Sequence, residues 1–146
     1  MDSYVVEGKN ISFEYRDSLE GIQNVNFVLQ PGEVILVTGN SGSGKSTFLK
    51  CLNGLIPRVV EGKLEGEILL NHQNTKDMSM AEISRHISSV FQNPRSQFFT
   101  TNTTSELVFS MENYGLDKAA MEERLHKVSA LLQIPYLLNR DIFQLS

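Results

Sequence analysis

The chain has one cysteine, Cys51, among 146 residues. It cannot close an internal disulfide, which suits a reducing compartment. Basic charge is not in excess: 13 Lys and Arg against 17 Asp and Glu leave a formal net charge of −4. That balance argues against the basic stripe of a nucleic-acid-binding face, so no nucleic-acid partner is expected. No apolar run approaches the ~18 residues of a membrane span. The opening Met1-Asp2-Ser3-Tyr4 lacks the basic and apolar regions of a signal peptide. Charged residues at 21% and apolar residues at 40% are those of an ordinary globular protein, excluding a disordered or coiled-coil chain. Internal repeats and low-complexity tracts are absent.

What is present falls into three regions. The first is β-like. Ile11, Phe13 and Tyr15 alternate with Ser12 and Glu14, the period-2 pattern of a half-buried strand. A second strand is expected over 24–29, with Val25, Phe27 and Leu29 on one face. After the turn signal Pro31-Gly32 come Val34, Ile35, Leu36 and Val37, a run that predicts a strand buried on both faces. The second region is α/β: a glycine-rich loop, a helix over 45–55 closed by Pro57, and a strand over 67–70. Ser79 and Glu82 have capping-box spacing for a short helix, and a further strand is expected over 87–91. The last region is helical. Thr103 and Glu106 form a second capping-box pattern, with Gly115 as stop signal, and Leu107, Met111 and Tyr114 fall on one face. Asp117 caps a helix whose stripe is Met121, Leu125, Val128 and Leu132, ended by Pro135.

The chemistry concentrates in Gly39-Asn40-Ser41-Gly42-Ser43-Gly44-Lys45-Ser46-Thr47. This stretch satisfies G-x-x-x-x-G-K-S/T between an expected strand and an expected helix. Glycines let the backbone take positive φ and approach phosphates closely. Successive N–H groups then make an anion nest, to which the helix start adds unpaired N–H groups and partial positive charge. Lys45 is expected to reach the β- and γ-phosphates, and the Ser46 hydroxyl to ligate Mg²⁺. His72, His86 and His126 show no metal-ligand spacing, and Cys51 reads as a small core residue.

The residues flanking the loop carry a resemblance. With Phe13-Glu14-Tyr15 before the loop and Val90-Phe91-Gln92-Asn93-Pro94 after it, the chain resembles the ATP-binding subunits of ABC transporters. Asn53-Gly54-Leu55-Ile56-Pro57 and Asn93-Pro94-Arg95-Ser96-Gln97-Phe98 look like the energy-coupling-factor branch, which drives vitamin and transition-metal uptake. The resemblance implies an α/β P-loop NTPase core of ABC ATPase type, with an antiparallel β-subdomain, a helical subdomain and an incomplete C-terminal side. Its parts would be 1–38 (β-subdomain and P-loop strand), 39–92 (phosphate loop to glutamine loop) and 93–146 (helical subdomain up to the signature). It implies ATP and Mg²⁺ as ligands. Tyr15 would stack on the adenine ring, Gln92 would contact Mg²⁺ or the attacking water, and Lys45 and Gln92 would serve hydrolysis. It further implies two partners, a second ATPase subunit or domain and an integral membrane transport subunit met by residues 92–115. The expected location is cytoplasmic, peripheral at the inner face of the membrane.

In the family, Leu145-Ser146 would open the signature motif, so the resemblance stops in mid-motif. No apolar run of four is followed by Asp-Glu, the Walker B pattern, and no histidine switch follows. The expectation is therefore a chain that binds ATP without hydrolysing it, with hydrolysis belonging to a longer protein. If the family sheet carries over, strands 34–37 and 87–91 lack their neighbours and expose backbone edges, an association hazard. The alternatives are a soluble ABC-type ATPase, a non-catalytic nucleotide-binding module, and a P-loop small-molecule kinase. The kinase would need an Arg-rich lid, whereas the last third offers only the widely separated Arg124 and Arg140.

Overall fold

The computed structural model describes residues 5–18 and 20–145. Met1-Asp2-Ser3-Tyr4 and Ser146, on which the leader and signature readings rest, lie outside the described residues. The chain forms two compact units, Met1–Ser89 and Val90–Ser146.

The first unit is built on an antiparallel sheet of order β2-β1-β3-β4. Its strands are β1 (Val6–Tyr15), β2 (Gly21–Leu29), β3 (Gly62–Leu70) and β4 (Gln73–Asn74). In β1 the alternation holds, with Ile11 and Phe13 buried. Ile11 pairs with Val25 and Phe13 with Ile22 on one side, and Phe13 pairs with Leu64 on the other. Onto this sheet pack α1 (Lys45–Leu52), the short α2 (Leu55–Arg58) and α3 (Met80–His86). The buried core is Val6, Ile11, Phe13, Ile22, Cys51, Ile56, Ile68, Leu70, Met78 and Ile83. Ser79 caps α3 as its spacing predicts. Its hydroxyl accepts from the Glu82 N–H while the Glu82 carboxylate accepts from the Ser79 N–H, closing a capping box.

Three expectations for residues 34–91 are corrected. Residues 34–37 form no strand: Val34 is 91% and Leu36 84% exposed. Residues 87–91 form none either, with Val90 93% exposed. A strand exists only through its ladder to a neighbour, and among the described residues neither segment has one. Helix α1 stops at Leu52, a turn before Pro57. Asn53 is its C-cap, and its side-chain oxygen accepts from the Leu55 N–H to start the next turn.

The second unit holds α4 (Thr103–Asn113) and α5 (Lys118–Leu131), with short 3₁₀ turns at Pro94–Gln97, Pro135–Leu137 and Ile142–Gln144. Gly115 follows the end of α4, and Asp117 caps α5 by accepting from the Ala120 N–H. The expected Thr103–Glu106 capping box is not formed. Asn102 is the cap, accepting from the Thr104 and Ser105 N–H groups. The Thr103 hydroxyl instead donates to the Leu137 carbonyl, and Glu106 accepts from the Phe99 and Thr100 N–H groups. The stripe on α5 is also rotated. Leu125 and Ser129 are buried, whereas Val128 is 40% and Leu132 58% exposed. Among the described residues no helix is long and apolar enough to cross a membrane.

Candidate functional site

The site sits where β1, β2 and the start of α1 meet. Residues 39–44 make the loop, and Lys45, Ser46 and Thr47 make the first turn of α1. Gly39, Gly42 and Gly44 all have positive φ, at 150°, 81° and 87°. Gly44 is the residue preceding the helix, and its carbonyl accepts from Phe48 N–H at 2.8 Å. Ser43 N–H donates to the Asn40 carbonyl at 3.2 Å, folding the loop on itself. A helix start leaves its first N–H groups without intrahelical partners. Those of the α1 start therefore suit an anion.

The Lys45 ammonium lies over the loop. It donates to the Gly39 carbonyl at 2.8 Å, the Asn40 carbonyl at 2.7 Å and the Ser43 hydroxyl at 3.3 Å. A lysine has three donors and no acceptor, so these contacts bind its charge to the loop that it serves. Ser46 is exposed and Thr47 buried. The exposed hydroxyl is free to meet a cation. Mg²⁺ ordinarily takes one or two protein ligands alongside phosphate oxygens and water, so one serine hydroxyl is a sufficient protein share. No group of three or more His, Cys, Asp or Glu able to hold a metal occurs among the described residues.

Tyr15 closes β1 beside the loop. Its hydroxyl lies 2.8 Å from the Thr47 hydroxyl, and its ring meets Phe13 edge-on, centroids 4.9 Å apart. Next to it Arg16 is ion-paired with Glu61. A cleft lined by Tyr15, Arg16, Asp17, Ser18, Glu20 and Glu61 opens there. Residues Tyr15, 39–44, Lys45, Ser46 and Thr47 thus assemble within the first unit. Gln92 belongs to the second unit, exposed in a bend ahead of the Pro94–Gln97 turn, in which Gln97 is half-buried. The Tyr15–Thr47 and Arg16–Glu61 contacts have no signal in the sequence, because each joins positions more than thirty residues apart.

A larger groove of about 670 Å³ runs along α1, lined by Val25, Phe27, Val34, Val37, Phe48 and Leu49 among others. Its walls are mainly apolar, and it adjoins the loop through Gly39, Ser43, Gly44 and Lys45. Burial pushes the Cys51 thiol on the same helix up to about 12, because a thiolate is poorly solvated in an apolar setting. Cys51 is therefore a packing residue rather than a nucleophile.

The family model described as ABC transporter matches residues 22–146. An ABC transporter ATP-binding protein of Treponema denticola is 44% identical over 138 residues, covering 94% of this chain and 28% of its own length. A corresponding protein of Pyrococcus abyssi is 38% identical over 131 residues, covering 89% of this chain and 47% of its own. The chain thus spans less than half the length of these relatives. Among solved structures, cbiO1 from Clostridium perfringens, part of the ABC transporter complex cbiONQ, superposes with a TM-score of 0.83 at 24% identity. That match covers 99% of this chain and 56% of cbiO1. The ADP conformation of another ATP-binding cassette superposes with a TM-score of 0.73 at 20% identity, covering 98% of this chain and 59% of that one. At these identities the structural likeness speaks to the fold, and the fold is the mixed α/β fold of ABC ATPases. With the family model running from β2 to the last residue, the chain belongs to the ABC transporter family, as sequence of its ATP-binding domain.

Proposed function

We propose that this chain is the ATP-binding portion of an ABC-type ATPase that energises import of a vitamin or transition-metal ion through a membrane partner. The observation that carries the reading is the loop at 39–47. Its glycines hold positive φ, its lysine lies across it, and a helix start opens at its end. Lys45 binds the terminal phosphates, Ser46 the Mg²⁺ and Tyr15 the base. Gln92 serves the metal or the attacking water. The uptake branch rests on the stretches 53–57 and 93–98, and the place of cbiO1 in a transporter complex accords with it. A second ATPase subunit or domain and an integral membrane subunit are the partners, which puts the protein at the cytoplasmic face of the membrane.

Within these residues ATP is held but not hydrolysed. Transfer to water needs a group that positions the nucleophile and a fully ligated metal, and no apolar run here ends in Asp-Glu. Titration of Mg-ATP into the wild type and Lys45→Ala, with circular dichroism to confirm the fold, tests the binding reading. Binding is expected to weaken at least about tenfold in the variant, as loss of a charged phosphate contact implies. Equal affinity in the two would overturn the site. Phosphate release by the 146-residue chain alone would overturn the binding-only reading.

A further inference from the structure

Tyr15 is the last residue of β1 and Thr47 the third of α1, yet their hydroxyl oxygens are 2.8 Å apart across 32 positions of sequence. Thr47 is buried, next to the exposed Ser46. The Tyr15 ring is thereby held by two neighbours. Phe13 meets it edge-on with the planes at 78°, and the Thr47 hydroxyl fixes the far phenolic end. A tyrosine side chain has only two torsions to fix. A ring so restrained offers its face to a ligand with little ordering cost left to meet.

We infer that Thr47 is a positioning residue for the nucleotide base, acting through Tyr15. The inference rests on the reading that the 39–47 loop and Tyr15 take a nucleotide. Thr47 shares one helical turn with Lys45 and Ser46, so one hydrogen bond ties the attitude of the stacking ring to the turn that holds phosphate and metal. Either oxygen can be the donor. In both cases the pair uses one of its two hydroxyl protons and keeps the other for ligand or solvent. The neighbouring residues divide their work: the exposed Ser46 hydroxyl would hold the metal, and the buried Thr47 hydroxyl aims the ring. A bond that merely stapled β1 to α1 would stabilise the fold without distinguishing one end of a nucleotide from the other. A positioning bond makes that distinction.

The test uses the intact polypeptide that carries this sequence, with Mg-ATP and Mg-tripolyphosphate as paired probes, the second having phosphates and no base. Tyr15→Phe keeps the ring and removes the bond, Thr47→Val removes it from the other side, and Thr47→Ser retains a hydroxyl. Each of the first two is expected to weaken Mg-ATP binding about three- to tenfold, the range of one lost hydrogen bond. Tyr15→Phe should leave tripolyphosphate affinity within about twofold, and the double variant should bind Mg-ATP no more weakly than the weaker single, as for residues acting as a pair. Thr47→Ser should restore Mg-ATP binding. Should Thr47→Val fail to fold, Tyr15→Phe decides alone. Unchanged Mg-ATP binding in Tyr15→Phe, or a loss matched by tripolyphosphate, would overturn the role of Thr47 while leaving the phosphate loop standing. A wild-type protein that binds neither probe would overturn the nucleotide reading and this inference together.

Discussion

Gly44 lies so close to Ile22 that a Cβ built on it would stand 2.6 Å from the Ile22 Cγ2 and 3.2 Å from the Gly21 carbonyl oxygen. The phosphate loop is therefore seated on β2 by the absence of a side chain. Its φ of +87° adds a second reason for glycine. Gly42 has nearly the same φ, +81°, but faces open space. The two positions separate backbone strain from steric contact. Gly42→Ala should cost about 1 kcal/mol, the left-handed penalty alone. Gly44→Ala should add about 1–3 kcal/mol of overpacking and displace the loop. Denaturant midpoints of the two variants measure the difference. Equal losses would mean that Ile22 yields and the seat is soft.

Arg58 holds together a part of the first unit that the sequence does not connect. Its guanidinium donates to the Thr75 carbonyl at 2.6 Å and to the Met78 carbonyl at 2.8 Å, and both acceptor residues are buried. Removing a charged donor from such carbonyls costs about 1.5–3 kcal/mol. Arg58→Ala should lower stability by that amount, seen as a reduced urea midpoint at unchanged slope. Arg58→Lys should recover only part of it, because one guanidinium nitrogen serves these two carbonyls while the other donates to the Gly54 carbonyl at 3.4 Å, a spread that a compact ammonium does not match. Full recovery with lysine would reduce the role of Arg58 to charge alone.

These outcomes also show what the sequence makes legible. The loop at 39–47, the Ser79–Glu82 box, the Asp117 cap and the stop at Gly115 were readable because each is settled within a few residues of chain. The strands expected at 34–37 and 87–91 were not, since an apolar run becomes a strand only when a neighbour supplies its ladder. The choice of Asn102 over Thr103 as the α4 cap was hidden for a related reason. The Thr103 hydroxyl is taken by the Leu137 carbonyl, thirty-four residues away. On α5 the structure buries Ser129, whose hydroxyl is satisfied by the His126 carbonyl at 3.1 Å, where apolar periodicity favoured Val128. The candidate site divides in the same way: its glycine loop is local and visible, whereas the Tyr15–Thr47 contact is made by folding.

The Ser79 capping box carries a pH dependence of definite sign. Hydrogen bonds from the Ser79 backbone N–H and then its hydroxyl hold the Glu82 carboxyl below the ordinary glutamate value, and Arg85 adds a smaller charge effect. The unfolded chain keeps the ordinary value, so it takes up this proton first as the pH falls. The contribution is therefore full above the ordinary glutamate value and lost as pH drops through the lower folded one. Glu82→Gln should flatten that part of the acid limb of a stability–pH curve. An acid limb of the same shape in the variant would refute the assignment.

Cys51 offers a reporter for the loop from inside the same helix. It is 1% exposed, and burial pushes its thiol up to about 12, so at about pH 8 the folded protein presents almost no thiolate for disulfide exchange. Labelling by a thiol reagent must then wait for α1 to open, an event that also dismantles the first turn with Lys45 and Ser46. A ligand that binds only the closed form suppresses such opening by the factor 1 + [L]/Kd, about a hundredfold at a hundred times Kd. Mg-ATP is thus expected to slow Cys51 labelling by that factor, and Lys45→Ala to cut the protection at least about tenfold at the same ligand concentration. The raised thiol value has its own signature. The unfolded chain releases this proton earlier as pH rises, so stability is full below the ordinary thiol value and declines on the way to about 12. Ligand-free labelling should accelerate over that interval faster than thiolate formation alone requires. Labelling that ignored Mg-ATP in a protein shown to bind it would mean that Cys51 is exposed by a local opening that spares the loop, and that the helix and the loop are not one cooperative unit.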